Sequence, residues 1–201
     1  LRAVKDADEI AIMKRAQDIA SQAFMETISK LQPGMSERDV SLELEFNMKH
    51  LGASELAFAN IVASGPNGAK PHAIPSDRLL EPGDFVVIDF GARVGGYCSD
   101  TTRTVCIGGA SDEQIRVYEA VRRANEWVAA SIKPGVTGAQ MHTLAEGELA
   151  KAGFGDKMGH SLGHGVGIDI HELPLLSPTN KKPLVAGNVV TDEPGVYLPD
   201  D

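Results

Sequence analysis

The 201-residue chain is poor in cysteine: Cys98 and Cys106 are its only two. Two thiols cannot build a disulfide framework, and so sparse a use of cysteine fits a reducing cytoplasm. No apolar run approaches the length of a membrane span. The opening residues, LRAVKDADEI, lack the apolar stretch of a secretory signal. Basic residues are the minority, with 19 Lys and Arg against 28 Asp and Glu and a net charge of −9. A nucleic-acid groove and an anionic membrane surface both need the opposite sign, so neither partner is expected. No Ser-rich linker or low-complexity tract divides the chain. What is present is ordinary for a globular protein: 42% hydrophobic and 23% charged residues, enough to bury a core. Position 1 is Leu rather than Met, so the chain is expected to begin inside a longer protein.

Helical periodicity links Met13, Ala16, Ala20, Ala23, Phe24 and Leu31, after a capping-box pattern at Asp6 and Glu9. Gln32-Pro33-Gly34 stops that helix, and Ser36 reads as the next N-cap. Val40, Leu44, Met48 and Leu51 then mark one helical face that ends at Gly52. Residues 58–64 predict a short strand, 65–82 a loop, 85–90 (FVVIDF) a strand, and 97–107 a further strand. Ser111, with Gln114 as box partner, opens a helix striped by Val117, Val121, Ala124, Val128 and Ile132. Lys133-Pro134-Gly135 stops it, a helix over about 138–152 ends at Gly153, and 189–191 reads as a strand. The class is therefore α/β (α+β).

The two halves resemble each other. At a shift of 101 residues, Gln32-Pro33-Gly34 falls on Lys133-Pro134-Gly135 and Gly52 falls on Gly153. At a shift of 104, the stretch from Gly83 to Gly91 falls on that from Gly187 to Gly195, and Asp89 lands on Glu193. Two repeats are too few for a solenoid, so one pseudo-symmetric domain over 1–201 is expected, with repeats at about 7–108 and 111–201.

Asp89 and Asp100 lie on consecutive strands. A turn centred near Val94-Gly95 would set them directly opposite each other, with Cβ atoms about 4.5–5.5 Å apart. Two such carboxylates repel, and a divalent cation between them resolves the conflict. Cys98, two residues before Asp100, reads as a small buried residue rather than a soft ligand. Three histidines, His160, His164 and His171, fall within twelve residues and are interleaved with glycines. Glycine allows close backbone approach, but it makes a zinc-binding helix poor. One imidazole joining a carboxylate set, with the others binding substrate or moving protons, is the better reading. His72 is a further candidate.

Four motifs occur in order: Val87-Ile88-Asp89-Phe90-Gly91; Ser99-Asp100-Thr101-Thr102-Arg103-Thr104; Gly163-His164-Gly165-Val166-Gly167 through His171-Glu172-Leu173-Pro174; and Glu193-Pro194-Gly195. They resemble the pita-bread metallopeptidases (peptidase family M24), the group of methionine aminopeptidases, aminopeptidase P and Xaa-Pro dipeptidases. The Ser-Asp-x-Thr-Arg-Thr form and Asp169-Ile170-His171 look more like the Xaa-Pro branch. The resemblance implies a pita-bread (creatinase/aminopeptidase) fold of two pseudo-symmetric αβ halves around a dinuclear metal centre. By motif, Asp89, Asp100, His164 and Glu193 would be metal ligands, with Asp100 bridging. The family's fifth ligand, a Glu in an Arg-x-Glu-Asp motif, would follow Glu193, and the counterpart of Asp100 would fall at about 204. The chain is thus expected to be truncated after Asp201, where Pro199-Asp200-Asp201 also departs from the usual Pro-Gly turn, and to lack an N-terminal domain.

The implied activity is hydrolysis of the Xaa-Pro bond in dipeptides by hydroxide on two divalent ions. Glu193 would pass the proton to the leaving proline nitrogen. His72 and His171 would bind substrate and stabilise the tetrahedral intermediate, and His160 would support the pocket wall. A mainly carboxylate shell suits Mn²⁺, with Co²⁺ or Zn²⁺ as alternatives. The expected partner is a small peptide with proline second. The expected setting is cytoplasmic, with a homodimer possible for the full-length protein. Alternatives are aminopeptidase P acting on longer peptides, methionine aminopeptidase, and a non-catalytic peptide-binding module of the same fold. A metal-free creatinase-like hydrolase is disfavoured by Asp89 and Asp100. The 201 residues alone are expected to be inactive.

Overall fold

A computed structural model describes residues 2–70 and 72–198, so the Pro199-Asp200-Asp201 turn lies outside the described residues. The chain divides into two compact units, one over Ala7–Ser111 and one over Asp112–Leu198 that also takes in the residues up to Asp6. Among the described residues, no helix is long and apolar enough to cross a membrane.

The first unit contains α1 (Ala7–Ile28), α2 (Glu37–His50), β1 (Glu55–Leu56), β2 (Ile61–Ser64), a 3-10 turn (Gly65–Ala69), β3 (Phe85–Phe90), β4 (Ala92–Val94), β5 (Tyr97–Cys98) and β6 (Thr101–Cys106). Ala16, Ala20 and Phe24 of α1 and Val40, Leu44 and Met48 of α2 form one core with Val62, Val86, Ile88 and Phe90 of the strands. Phe24 stacks flat on Phe90, with ring centroids 5.3 Å apart. Helix α1 stops at Ile28, short of Leu31. Lys30 and Leu31 donate to carbonyls three residues back, a tightened turn ahead of Pro33. The strand expected from residue 58 begins only at Ile61; before it, the Ala57 amide bonds the Gly91 carbonyl and continues the β1–β4 ladder.

One register departs from the sequence expectation. β3 pairs with β6 so that Asp89 stands opposite Thr102, not Asp100. The β4–β5 hairpin shares that register, with Val94 opposite Tyr97. The turn is therefore centred between Gly95 and Gly96, one residue later than expected. Both glycines have positive φ, 55° and 86°, as a two-residue type I′ hairpin requires. Asp100 becomes a diagonal neighbour of Asp89 along the hairpin rather than its direct partner. The hairpin also passes from the β2-β3-β6 sheet to the β1-β4-β5 sheet at Gly91. A Cβ at Gly91 would come within 2.0 Å of the Ser99 carbonyl oxygen, so only glycine permits that crossing.

The second unit contains α3 (Asp112–Ser131), α4 (Gly138–Lys151), β7 (Gly163–Gly165) and β8 (Glu172–Leu176). Val128, Met141, Ala145, Leu162, Leu176 and Leu184 form one core cluster, and Ala120, Ala124, Leu149, Phe154 and Met158 form another. The expected strand at 189–191 is reduced to a single bridge between Val190 and Gly165. β7 shifts register against β8 between Gly163 and Gly165, so no regular ladder extends across it.

The same hydrogen bonds recur in both units at the offsets seen in the sequence. The Gly34 amide donates to Leu80 and the Leu80 amide to Met35; the Gly135 amide donates to Leu184 and the Leu184 amide to Val136. Capping boxes start α2 at Ser36 with Asp39, and α4 at Thr137 with Gln140. Asp84 and Asn188 each accept from an amide three residues earlier, those of Glu81 and Val185. Each unit combines helices and strands, and the two share these anchors, as the internal repeat implies.

Glu37, at the start of α2, is fully buried. Its Oε1 accepts from the Ser64 amide at 2.7 Å, the Ser64 hydroxyl at 2.8 Å and the Asn67 side-chain amide at 3.0 Å. Its Oε2 accepts from the Ser76 amide at 3.0 Å and the Ser76 hydroxyl at 2.6 Å. Burial pushes this carboxyl up, but the donors at Ser76, Asn67 and Ser64 outweigh it and bring the pKa from an ordinary 4.5 to about 2. Glu37 therefore stabilises the folded unit fully above pH 4.5, and that contribution is lost as pH falls toward 2. Glu37→Gln places donors against donors and is expected to cost roughly 2–3 kcal/mol at pH 7. In urea unfolding, the gap between wild type and variant should narrow on acidification below pH 4.5; a gap independent of pH would refute this assignment.

Candidate functional site

His164 sits at the middle of β7, flanked by glycines that the packing demands. A Cβ at Gly163 would lie 2.3 Å from the Thr191 carbonyl oxygen, and one at Gly165 would lie 2.4 Å from that of Leu173. The backbone on either side is thus too close for any side chain. The Thr191 amide donates to the His164 carbonyl at 2.8 Å, and the Glu193 amide donates to that of Leu162 at 3.0 Å. These two bonds lay residues 191–193 alongside β7 and bring Glu193 beside His164.

The ring geometry fixes a tautomer. His164 Nδ1 lies 3.0 Å from the Gly165 carbonyl, which can only accept, so Nδ1 carries a proton. Nε2 then faces Glu193 Oε1 at 3.3 Å. Thr191 donates its hydroxyl to the same carboxylate oxygen at 2.8 Å and accepts from the His164 amide at 2.9 Å. Burial raises the Glu193 carboxyl, but the neighbouring His164 and the Thr191 hydroxyl hold it below its ordinary value. A neutral Nε2 and a carboxylate oxygen are both acceptors, so the pair calls for a proton or a cation between them. That donor set, one imidazole and one carboxylate, fits a divalent ion.

His171 and His160 also belong to this unit. The exposed His171 ring meets His164 edge to face, with centroids 4.3 Å apart. His160 Nδ1 donates to the Ser161 carbonyl at 2.7 Å, and its Nε2 lies 3.3 Å from the Tyr197 hydroxyl. Tyr197 therefore donates to His160, and its ring packs edge-on against the imidazole. In the other unit, Asp89 is half-buried near the end of β3 and Asp100 half-buried just before β6. His72 is exposed in the segment between the 3-10 turn and β3. Cys98 is buried and in no disulfide among the described residues. Among the described residues, no three His, Cys, Asp or Glu side chains converge closely enough to hold a metal ion by themselves.

Several residues around the site escaped the sequence reading. Thr191 reads as an ordinary strand residue, yet it orders both His164 and Glu193. Asp192 has neither carboxylate oxygen bonded to a donor among the described residues; burial and the neighbouring Glu193 push its pKa to about 7. Lys5 is almost wholly buried and pairs with Glu172 at 2.5 Å, immediately after His171. The Lys5 amide also donates to Gly187 at 2.8 Å, which ties the N-terminal residues to this unit. Only the pairing of a lysine with a distant glutamate, invisible along the chain, reveals that role. Lys5→Met leaves Glu172 buried without its cation, at a cost of roughly 3–5 kcal/mol. Chemical denaturation should show that loss, and Lys5→Met combined with Glu172→Leu should recover most of it; equal instability of single and double variants would refute the pairing.

Known proteins share this sequence and fold. The model of metallopeptidase family M24 matches residues 11–201. An uncharacterized peptidase of Bacillus subtilis is 46% identical over 200 residues, covering 100% of this chain and 57% of that protein. The Xaa-Pro dipeptidase of Pyrococcus furiosus is 42% identical over 199 residues, covering 99% of this chain and 57% of that protein. The crystal structure of an X-Pro aminopeptidase from Thermotoga maritima superposes with a TM-score of 0.97 at 44% identity, over 99% of this chain and 56% of that one. The chain thus spans a little over half the length of these relatives. By its ordered motifs, its fold and the extent of the match, the chain belongs to metallopeptidase family M24.

Proposed function

We propose that this protein hydrolyses the Xaa-Pro bond of dipeptides with the help of two divalent metal ions. The observation that carries the reading is the His164–Glu193 pair, with Nδ1 committed to a carbonyl and Nε2 turned to a carboxylate. The likeness to proteins named Xaa-Pro dipeptidase, at 41–42% identity, supports the substrate class. Asp89, Asp100, His164 and Glu193 are the ligands in this reading. Bound there, the ions would supply a water of lowered pKa and polarise the scissile carbonyl. The carboxylate-rich set favours Mn²⁺ over softer ions.

Glu193 also handles the proton. The Thr191 hydroxyl bond favours its ionised form, so it can accept a proton and pass it to the proline nitrogen. His171 offers an exposed ring against His164, suited to donating to a substrate carboxylate or to the developing oxyanion. His72 binds substrate, and His160, held between Ser161 and Tyr197, supports the pocket wall. Two cysteines that form no disulfide among the described residues fit a cytoplasmic setting. Aminopeptidase P activity on longer peptides is the second reading, favoured by the likeness to the Thermotoga X-Pro aminopeptidase.

Full-length protein should release proline from an Xaa-Pro dipeptide in added Mn²⁺ and lose that activity with a chelator. Asp89→Asn, Asp100→Asn and His164→Ala should each lower kcat/KM at least about 100-fold and weaken Mn²⁺ binding in calorimetry. Cleavage of longer Xaa-Pro peptides in preference to dipeptides would select the second reading. Cleavage of Met-Ala peptides alone, or of none, would overturn both.

A further inference from the structure

We infer that Glu37 is a positioning residue: its buried carboxylate holds both ends of the segment 65–75 and thereby sets where His72 stands. The inference rests on the reading of His72 as a substrate-binding residue. The one carboxylate serves both ends. Oε1 takes the outgoing end through Ser64 and Asn67, and Oε2 takes the returning end through Ser76 and is shared with Asn67 at 3.3 Å. The backbone repeats the arrangement, since the Glu37 amide donates to Arg78 at 3.0 Å and the Arg38 amide to Ser76 at 3.0 Å. The first turn of α2 therefore gives its otherwise unpaired N–H groups to the returning limb.

Two features separate this from ordinary helix capping. The capping box is already complete without Glu37, through Ser36 and Asp39. The segment also has little apolar anchorage of its own. Lys70, His72 and Ile74 are exposed, Ile74 at 85%, and Ala73 is its one buried residue among those described. Polar bonds at the base must do what a core would otherwise do. A second charged pair reinforces them: Arg78 donates to the Ser64 hydroxyl at 2.7 Å and to Asp84 at 2.5 Å and 3.0 Å. A side chain at Gly65 would strike that pair, with Asp84 at 2.6 Å and Arg78 at 2.8 Å from its Cβ.

The test uses full-length protein with Glu37→Gln, the milder Ser76→Ala, His72→Ala, and Glu37→Gln combined with His72→Ala. Glu37→Gln should lower kcat/KM for an Xaa-Pro dipeptide about tenfold or more, with the same division between kcat and KM as His72→Ala. Ser76→Ala should show the same division with a smaller loss, which serves if Glu37→Gln does not fold. In the His72→Ala background, Glu37→Gln should add less than about a twofold loss, because both changes remove one function. Amide hydrogen exchange should rise across 65–75 in both Glu37→Gln and Ser76→Ala, while the middle of α2 stays protected. Unchanged exchange in that segment, or losses that multiply in full, would overturn the inference. Full activity in His72→Ala would instead overturn the role of His72, and the exchange result would show that this failure is separate.

Discussion

In each unit, the turn that ends the first helix is hydrogen-bonded to chain returning from far along the sequence. Gly34 and Met35 bond Leu80 on both sides, and Gly135 and Val136 bond Leu184 in the same way. Two backbone bonds per unit thus close a long loop, and the following helix starts from a point already fixed. The capping boxes at Ser36 and Thr137 begin immediately beyond. Two of the proposed ligands follow from that closure. In one unit the returning chain continues into β3 and Asp89; in the other it continues toward Thr191 and Glu193. Their equivalence follows from equal spacing after equal anchors, and Leu80 and Leu184 stand at the same offset as Asp89 and Glu193.

Glycine makes the site possible by letting backbones approach. Gly91, Gly163 and Gly165 each face a carbonyl oxygen where a Cβ would need to be. At Gly91 the close approach lets one hairpin serve two sheets. Around His164 it presses β7 between β8 and the 191–193 strand-like segment, so the imidazole emerges from a strand with little freedom of its own. A pair proposed to hold an ion needs that rigidity, because an ion tolerates only small errors in donor position.

Much of this is legible along the chain, for physical reasons that can be named. The helices declare themselves through apolar stripes and Pro-Gly stops, and β3 is bounded as its composition implies. The hairpin register is off by one turn position, because Val94-Gly95 and Gly95-Gly96 look equally able to turn until positive φ at both central residues is required. β8 is hidden by Pro174, which argues against a strand when read alone. The Glu37 and Lys5 roles are hidden for a different reason. Acidic residues in a first helical turn ordinarily face solvent and complement the dipole, and only tertiary contacts show Glu37 buried under five donors.

Three carboxyls of this chain show how donor supply assigns a role. Glu37 is fully buried but surrounded by donors, so it stays ionised under nearly all conditions and serves as a fixed anchor. Asp192 has no protein donor among the described residues, and burial drives it toward its neutral form near pH 7. Glu193 lies between these extremes, with one hydroxyl donor and one imidazole whose second nitrogen is already committed. Its neighbours hold it below its ordinary value, so it remains anionic. Burial alone therefore does not mark a reactive carboxylate. The distinguishing feature is an ionised group whose donors are fewer than its lone pairs, set beside a nitrogen that points at the same place.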